Sequence, residues 1–158
     1  MMKKMILFAS VIFLLSSCSK DNKSTNNSGN TWTFGNTTYT GALVTYVNAG
    51  DESNLASTAT GYTATSSNSI IFTFINPPTS SGQIPITNSA DPNTVMVSTS
   101  NLTGTTTTFY DCDVTGVMAS VTISGGKISV TFPGKIWLHN IQNFNDSAQL
   151  SVGTITQQ

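Results

Sequence analysis

Side chains that could do acid–base or nucleophilic chemistry are few in this sequence of 158 residues. His139 is its single histidine, and Asp111 and Asp113 flank Cys112. Paired carboxylates can hydrolyse glycosidic bonds or hold Ca²⁺, and a histidine can act as a general base. The chemistry to consider is therefore acid–base hydrolysis or cation binding by these side chains.

None of these groups stands in a pattern typical of catalysis. Asp111 and Asp113 lie two residues apart on a predicted strand, so both point to one face, about 7 Å apart at the backbone. Glycosidases usually set their two carboxylates on different elements across a cleft, and a single histidine excludes His-rich zinc sites. No nucleophile-elbow motif surrounds any serine. We therefore predict a non-enzymatic protein with no catalytic residues, metal or cofactor. A surface hydrolase using Asp111, Asp113 or His139 is the alternative.

The two tryptophans could instead stack on a sugar ring. Trp137 and His139 share one face of a predicted strand with Ile141, because strand side chains alternate. A sugar site needs an exposed aromatic face with polar groups around it, although the same aromatic rings would also suit a core. The predicted ligand-binding residues are Trp137, His139 and Trp32, and the expected partner is a glycan or another envelope protein.

The N-terminal 17 residues have the layout of a secretory signal peptide. A basic start precedes the apolar block Ile6–Leu15, which as a helix reaches about 15 Å. A hydrocarbon core is roughly 30 Å thick, so the block is too short to span it. The segment Leu15-Ser16-Ser17-Cys18 resembles the lipobox of bacterial lipoproteins. This resemblance implies cleavage between Ser17 and Cys18 and attachment of acyl chains to Cys18.

The residues after the cysteine indicate how the protein is held. Ser19-Lys20-Asp21 is similar to the start of many Bacteroidota lipoproteins, in which such a segment promotes export to the cell surface. Two or three acyl chains give stable anchoring in a membrane, where one chain gives marginal binding. Residues 19–30 carry no apolar side chain and cannot bury enough surface to fold. We therefore predict a signal peptide over residues 1–17, lipidated Cys18 with a flexible tether over 18–30, and one domain over 31–158. The resemblance places this domain at the outer membrane, facing the cell surface.

The mature chain would carry few charges. Without Lys3 and Lys4, four basic residues remain against seven acidic ones, a net charge of −3, and there is no arginine. Proteins that bind the phosphate groups of nucleic acids need clustered Lys and Arg, so nucleic acid is not an expected partner. Lipidation of Cys18 would leave Cys112 without a disulfide partner, and Cys112 is expected to pack as a small buried hydrophobic residue.

The rest of the sequence predicts strands. In VMASVTISGGKISVTFPG, apolar and polar residues alternate on both sides of Gly125-Gly126. A two-residue Gly-Gly loop suits a type I′ hairpin, in which Ile123 would face Ile128 and Val121 would face Val130. The run Ile70–Ile75 is apolar on both faces and predicts a central buried strand.

Alternating runs recur along the chain, with turn residues between them and no helical stripe. The further predicted strands are Trp32–Phe34, Thr38–Thr40, Ala42–Val47, Leu55–Thr63, Gln83–Thr87, Val95–Ser98, Thr106–Val114, Lys135–Ile141 and Ala148–Ile155. This spacing predicts an all-β fold, an antiparallel immunoglobulin-like β-sandwich, with a small lipocalin-like β-barrel as the alternative.

Two short motifs add a further resemblance. WTFGNTTYTG and VTISGGKISV resemble segments of small all-β Bacteroidota lipoproteins, a resemblance that assigns no catalytic residue. Asp146-Ser147-Ala148 is similar to the Asp-Ser/Thr-apolar motif of Bacteroidota O-glycosylation. This similarity implies that Ser147 carries a glycan.

Overall fold

The computed structural model describes residues 29–113 and 116–158, and within them every regular element is a β-strand. The strands are β1 Thr31–Phe34, β2 Thr37–Asn48, β3 Glu52–Ala59, β4 Ser66–Ile75, β5 Gly82–Pro85, β6 Thr94–Thr103, β7 Thr106–Cys112, β8 Met118–Ser124, β9 Lys127–Thr131, β10 Ile136–Asn140, β11 Asn143–Val152 and β12 Ile155–Thr156. This part of the chain contains no helix that is long and apolar enough to cross a membrane. The predicted signal peptide, Cys18 and most of the tether lie outside the described residues.

The strands form two hydrogen-bonded sheets. Eight of them close into a barrel in the order β1-β11-β10-β7-β6-β4-β3-β2, and β2 pairs back to β1. The other four form a separate sheet in the order β12-β9-β8-β5. Neighbouring strands in both sheets are antiparallel. Buried side chains of the barrel, such as Phe72 and Leu138, belong to one hydrophobic cluster with Val121 and Val130 of the smaller sheet.

The predicted all-β antiparallel fold is confirmed, and two sheets share one core as the sandwich prediction requires. The larger sheet closes on itself, which removes exposed edges from its eight strands. Closure depends on β1, whose Trp32 pairs with Tyr39 on one side and with Val152 on the other. The N-terminal strand of the domain therefore joins the C-terminal part of the chain to β2.

The strongest hairpin prediction is confirmed. Ile123 pairs with Ile128 and Val121 with Val130 across the β8–β9 turn. Gly125 and Gly126 have φ angles of 59° and 77°, the left-handed conformation that a type I′ turn requires at both positions. The turn residues and the apolar alternation therefore specify the same register.

The run Ile70–Ile75 forms the C-terminal part of β4, and β4 lies between β3 and β6. Ile70, Phe72 and Phe74 are fully buried on the inner face of the barrel, and Ile71 on the other face is 6% exposed. The strand ends at Ile75, and the next residue, Asn76, has a φ of 64° that turns the chain out of the sheet. The prediction of a central strand buried on both faces is confirmed.

The predicted strand Ala148–Ile155 is divided between the two sheets. Residues up to Val152 belong to β11 in the barrel, whereas β12 begins at Ile155 in the smaller sheet. Gly153 lies between them, and its N–H donates to the Thr31 carbonyl at 3.0 Å. A Cβ at Gly153 would stand 2.9 Å from Thr31 Oγ1, so the chain can cross between the sheets here because a side chain is absent.

The folded domain begins before the predicted boundary at residue 31. The sequence predicts that Asn30 belongs to the flexible tether, but the residue is 3% exposed. Its carbonyl accepts the Gly41 N–H at 2.6 Å, and its Oδ1 accepts the Thr156 N–H at 2.7 Å. A polar side chain can be buried when its hydrogen-bonding atoms are paired. Asn30 therefore links the barrel to the smaller sheet.

Candidate functional site

The structure brings His139, Asp111 and Asp113 together on the outer face of the barrel. His139 on β10 pairs directly with Asp111 on β7, and its Nε2 lies 2.8 Å from Asp113 Oδ2. Its Nδ1 lies 3.2 Å from the Phe144 carbonyl oxygen. Both ring nitrogens of His139 therefore already face acceptor atoms.

This outer-face cluster offers little to a reacting substrate. Asp111 is exposed, and local desolvation raises the pKa of its carboxyl. The Asp113 side chain is 57% exposed and its oxygen is held by His139. In residues 29–113 and 116–158, no group of three or more His, Cys, Asp and Glu side chains could hold a metal ion.

The two tryptophans lie in opposite environments. Trp137 is 51% exposed and points out of the barrel on the same face as His139. Trp32 is 1% exposed, so the prediction that it offers a free ring face to a ligand is wrong. Trp32 points into the closed barrel, where its ring stacks on Tyr39 with centroids 5.6 Å apart. Burial within a closed sheet explains this, since no face of the ring is left for solvent.

An open cavity of about 320 Å³ lies at one end of the barrel, which we call the barrel mouth. It is formed by Tyr39 on β2, the end of β3, the β3–β4 connection, and the facing ends of β4 and β6. One lining residue, Leu102, is a large aliphatic residue, and the others are small, aromatic or uncharged polar: Tyr39, Ala59, Thr60, Gly61, Tyr62, Ser66, Ser67, Asn68, Asn101 and Thr103. No charged residue is among them, and Tyr62 is 50% exposed.

A chain of hydrogen bonds runs from the barrel interior to the mouth. Trp32 Nε1 donates to Asn68 Oδ1 at 2.7 Å, and Asn68 Nδ2 donates to Asn101 Oδ1. Asn68 is 4% exposed, whereas Asn101 is half-buried at the cavity. The inference from sequence missed both asparagines. Asn68 follows the inward alternation of Ile70 on β4, and a polar residue at such a position is the signal that could have identified it.

A second network of polar side chains lies on the inner face of the barrel. Asp146 Oδ2 accepts hydrogen bonds from Tyr110 Oη at 2.8 Å and from Asn140 Nδ2 at 2.9 Å. These two bonds, that from Asn140 first, lower the pKa of Asp146. Burial and the Asp146 carboxylate together raise the pKa of Tyr110 to about 12. Ser147, the predicted glycosylation site, is exposed and pairs with His139 on the outer face.

The pH dependence of stability should report this network. The folded state holds the Tyr110 proton more tightly than the unfolded chain, where the pKa is about 10. Its contribution is therefore complete below pH 10 and is lost as the pH rises to about 12. In urea unfolding between these pH values, we expect Tyr110→Phe to lose less stability than the unmodified protein. Ser147→Ala, a neighbour of Asp146 on the opposite strand face, should keep the original slope. If the free energy of unfolding depended equally on pH in all three proteins, the role of Tyr110 in this pH dependence would be contradicted.

Cys112 is buried and forms no disulfide within the part of the chain that the structure describes. Its thiol donates to the Thr87 carbonyl at 3.2 Å, and burial raises its pKa to about 11. A thiol that is buried and protonated at neutral pH is a poor nucleophile. Cys112 is therefore packed as expected and adds no reactive group to the outer-face cluster.

Comparison with protein-family models, with curated proteins and with solved structures found no match for this chain.

Proposed function

We propose that this chain is a lipid-anchored outer-membrane protein without catalytic activity that binds a neutral glycan in its barrel mouth. The observation that carries the binding proposal is the cavity itself, which is lined by tyrosines, asparagines and hydroxyl groups with no charge. The anchoring proposal rests on the resemblance of Leu15-Ser16-Ser17-Cys18 to a lipobox.

The chemistry of the lining favours a polyhydroxylated ligand. Barrel mouths are among the places where proteins commonly bind small molecules, and hydroxyl and amide groups dominate this lining. Tyr62 presents a half-exposed ring at the cavity, and the side chain of Asn101 supplies hydrogen-bonding atoms. A charged ligand would lose hydration without gaining an opposite charge in this lining. The volume suits the end of an oligosaccharide.

The hydrolase alternative has less support. Its candidate base, His139, faces an acceptor at each ring nitrogen. Asp111 and Asp113 do not line the barrel mouth. A general base must reach the proton that it abstracts in a plausible substrate position, and this arrangement leaves no free histidine nitrogen to do so.

Labelling with a radioactive fatty acid tests the anchor. We expect palmitate to be incorporated into the full chain in a bacterial host that processes lipoproteins, and Cys18→Ala to abolish the label, because the thiol is the acceptor. Cys112→Ala should retain the label and controls for nonspecific thiol acylation, with expression of each variant checked by immunoblotting. Equal labelling of Cys18→Ala and the unmodified chain would contradict lipid attachment at Cys18.

A glycan array with the purified protein in detergent tests the binding site. We expect binding to neutral glycans, and at least tenfold weaker binding by Tyr62→Ala because a stacking surface at the mouth is lost. Trp137→Ala, which removes an exposed ring on the outer face, should bind as the unmodified protein does. The reverse result would place the ligand on the outer face, and an array without any signal would contradict glycan binding.

A further inference from the structure

We infer that Asn101 is the residue that selects the ligand in the barrel mouth, acting as a fixed hydrogen-bond donor, and that Trp32 and Asn68 are positioning residues that hold it so. This inference rests on the proposed binding of a glycan in the mouth. It names the polar group that the ligand must satisfy.

The orientation of both asparagine amides is set by Trp32, at the buried end of the hydrogen-bond chain. The indole N–H of Trp32 can donate a hydrogen bond but cannot accept one. Its partner Asn68 must therefore present Oδ1, at the observed 2.7 Å. With Trp32 1% exposed and Asn68 4% exposed, rotation of the Asn68 amide would place two donors against each other without water to separate them.

The orientation of Asn68 determines the orientation of Asn101 in the same way. Since Oδ1 of Asn68 is used by Trp32, its Nδ2 faces Asn101 and donates to Asn101 Oδ1. The Asn101 amide is then oriented as well, with its oxygen inward. The two orientations of an asparagine amide are usually hard to distinguish. Here the hydrogen-bond chain starts at the donor-only Trp32 N–H, which fixes the amide orientation of both Asn68 and Asn101.

Asn101, the last residue of the hydrogen-bond chain, lies at the cavity. Asn101 Nδ2 has no hydrogen-bond partner within residues 29–113 and 116–158, and the residue lines the barrel mouth. An –NH₂ group carries two donors and no acceptor. The ligand must therefore bring an acceptor oxygen to this point, such as a sugar hydroxyl, a ring oxygen or the carbonyl of an acetamido group.

A fixed donor should also affect selectivity. A site built to bond a ligand oxygen rejects an analogue that lacks the oxygen, because the donor is then left unpaired. We expect the glycan preferred on the array to lose at least tenfold in affinity when the hydroxyl or acetamido group that meets Asn101 is replaced by hydrogen.

Two substitutions test the inference in calorimetric titrations with the oligosaccharide that gives the strongest array signal. Asn101→Asp keeps the size of the side chain but replaces its donors with acceptor oxygen, and we expect at least tenfold weaker binding. Trp32→Phe keeps most of the ring but removes the N–H, and we expect a several-fold loss because Asn68 and Asn101 can then rotate. Asn145→Asp makes the same charge change at an exposed site outside the cavity and should bind normally.

A readout without ligand separates orientation from folding. In the free protein, the side-chain amide protons of Asn68 should exchange slowly with water and those of Asn101 rapidly. Trp32→Phe should accelerate exchange at Asn68 while the backbone spectrum stays folded. If the unmodified protein binds and Asn101→Asp binds equally well, this inference is wrong and the proposed function stands. If the unmodified protein binds no oligosaccharide, both are overturned.

Discussion

Replacing Trp32 with alanine is expected to lower the free energy of unfolding by about 3–5 kcal/mol, the usual range for truncating a buried Phe or Trp. Trp32 is 1% exposed, stacks on Tyr39 and donates to Asn68. The substitution removes a large ring from the barrel interior and leaves the Asn68 oxygen without its donor. Both losses act in the same direction.

Trp137→Ala provides the matched control, because the same change is made at a side chain that is 51% exposed. Substitutions on the surface usually change stability by about 0.5 kcal/mol or less. Each variant keeps one tryptophan, so urea unfolding can be followed by the fluorescence of the other, with circular dichroism as a common probe. Similar losses for the two variants would contradict the assignment of Trp32 to the interior.

Gly41→Val is expected to lower the free energy of unfolding by about 2–3 kcal/mol, near the upper end of the usual cost of overpacking. A Cβ at Gly41 would overlap Ser57 Oγ and lie 3.1 Å from Asn30 Cβ. Ser57 is fully buried and cannot withdraw into solvent. The Gly41 N–H also donates to the Asn30 carbonyl at 2.6 Å, so displacement would loosen the link between the barrel and the smaller sheet.

Gly82→Val tests whether the effect belongs to the position. Gly82 also lies in a strand, but a Cβ there would meet no heavy atom within 4 Å. We expect a change within about 0.5 kcal/mol, as for other exposed surface positions. Chemical denaturation of both variants measures the difference, and an equal loss at the two glycines would contradict the close packing of Gly41.

Local patterns are sufficient to predict much of this fold. The Gly125-Gly126 turn and the alternation beside it fix the β8–β9 register, because a slip of one residue would move every apolar side chain to the other face. Closure of the barrel is not predictable in the same way. It depends on pairing between Trp32 and Val152, which are distant in sequence, and no local pattern specifies such a contact. The separation of β11 from β12 at Gly153 likewise depends on the close contact of Gly153 with Thr31, which is distant in sequence.

The candidate site could be predicted in part. Alternation places His139 on one face of β10 and places Asp111 and Asp113 on one face of a predicted strand. The pairing of His139 with Asp111 requires the β7–β10 register. The exposure of the two tryptophans could not be decided, since each lies in a strand of four or five residues. The barrel mouth was missed because it depends on the contact between Asn101 and Asn68. The alternation with Ile70 places Asn68 on the inner face of β4, but its pairing with Asn101 requires the β4–β6 register.

The most direct test of glycan binding in the barrel mouth uses the two indole N–H signals in the nuclear magnetic resonance spectrum of the ¹⁵N-labelled protein. The preferred oligosaccharide from the array would be titrated into the sample. We predict that the Trp32 indole signal and the side-chain amide signals of Asn68 and Asn101 shift together, because the hydrogen-bonded chain ends at the ligand. The Trp137 indole signal should stay unchanged. A shift of the Trp137 signal while the Trp32 and Asn101 signals remain in place would contradict binding in the mouth.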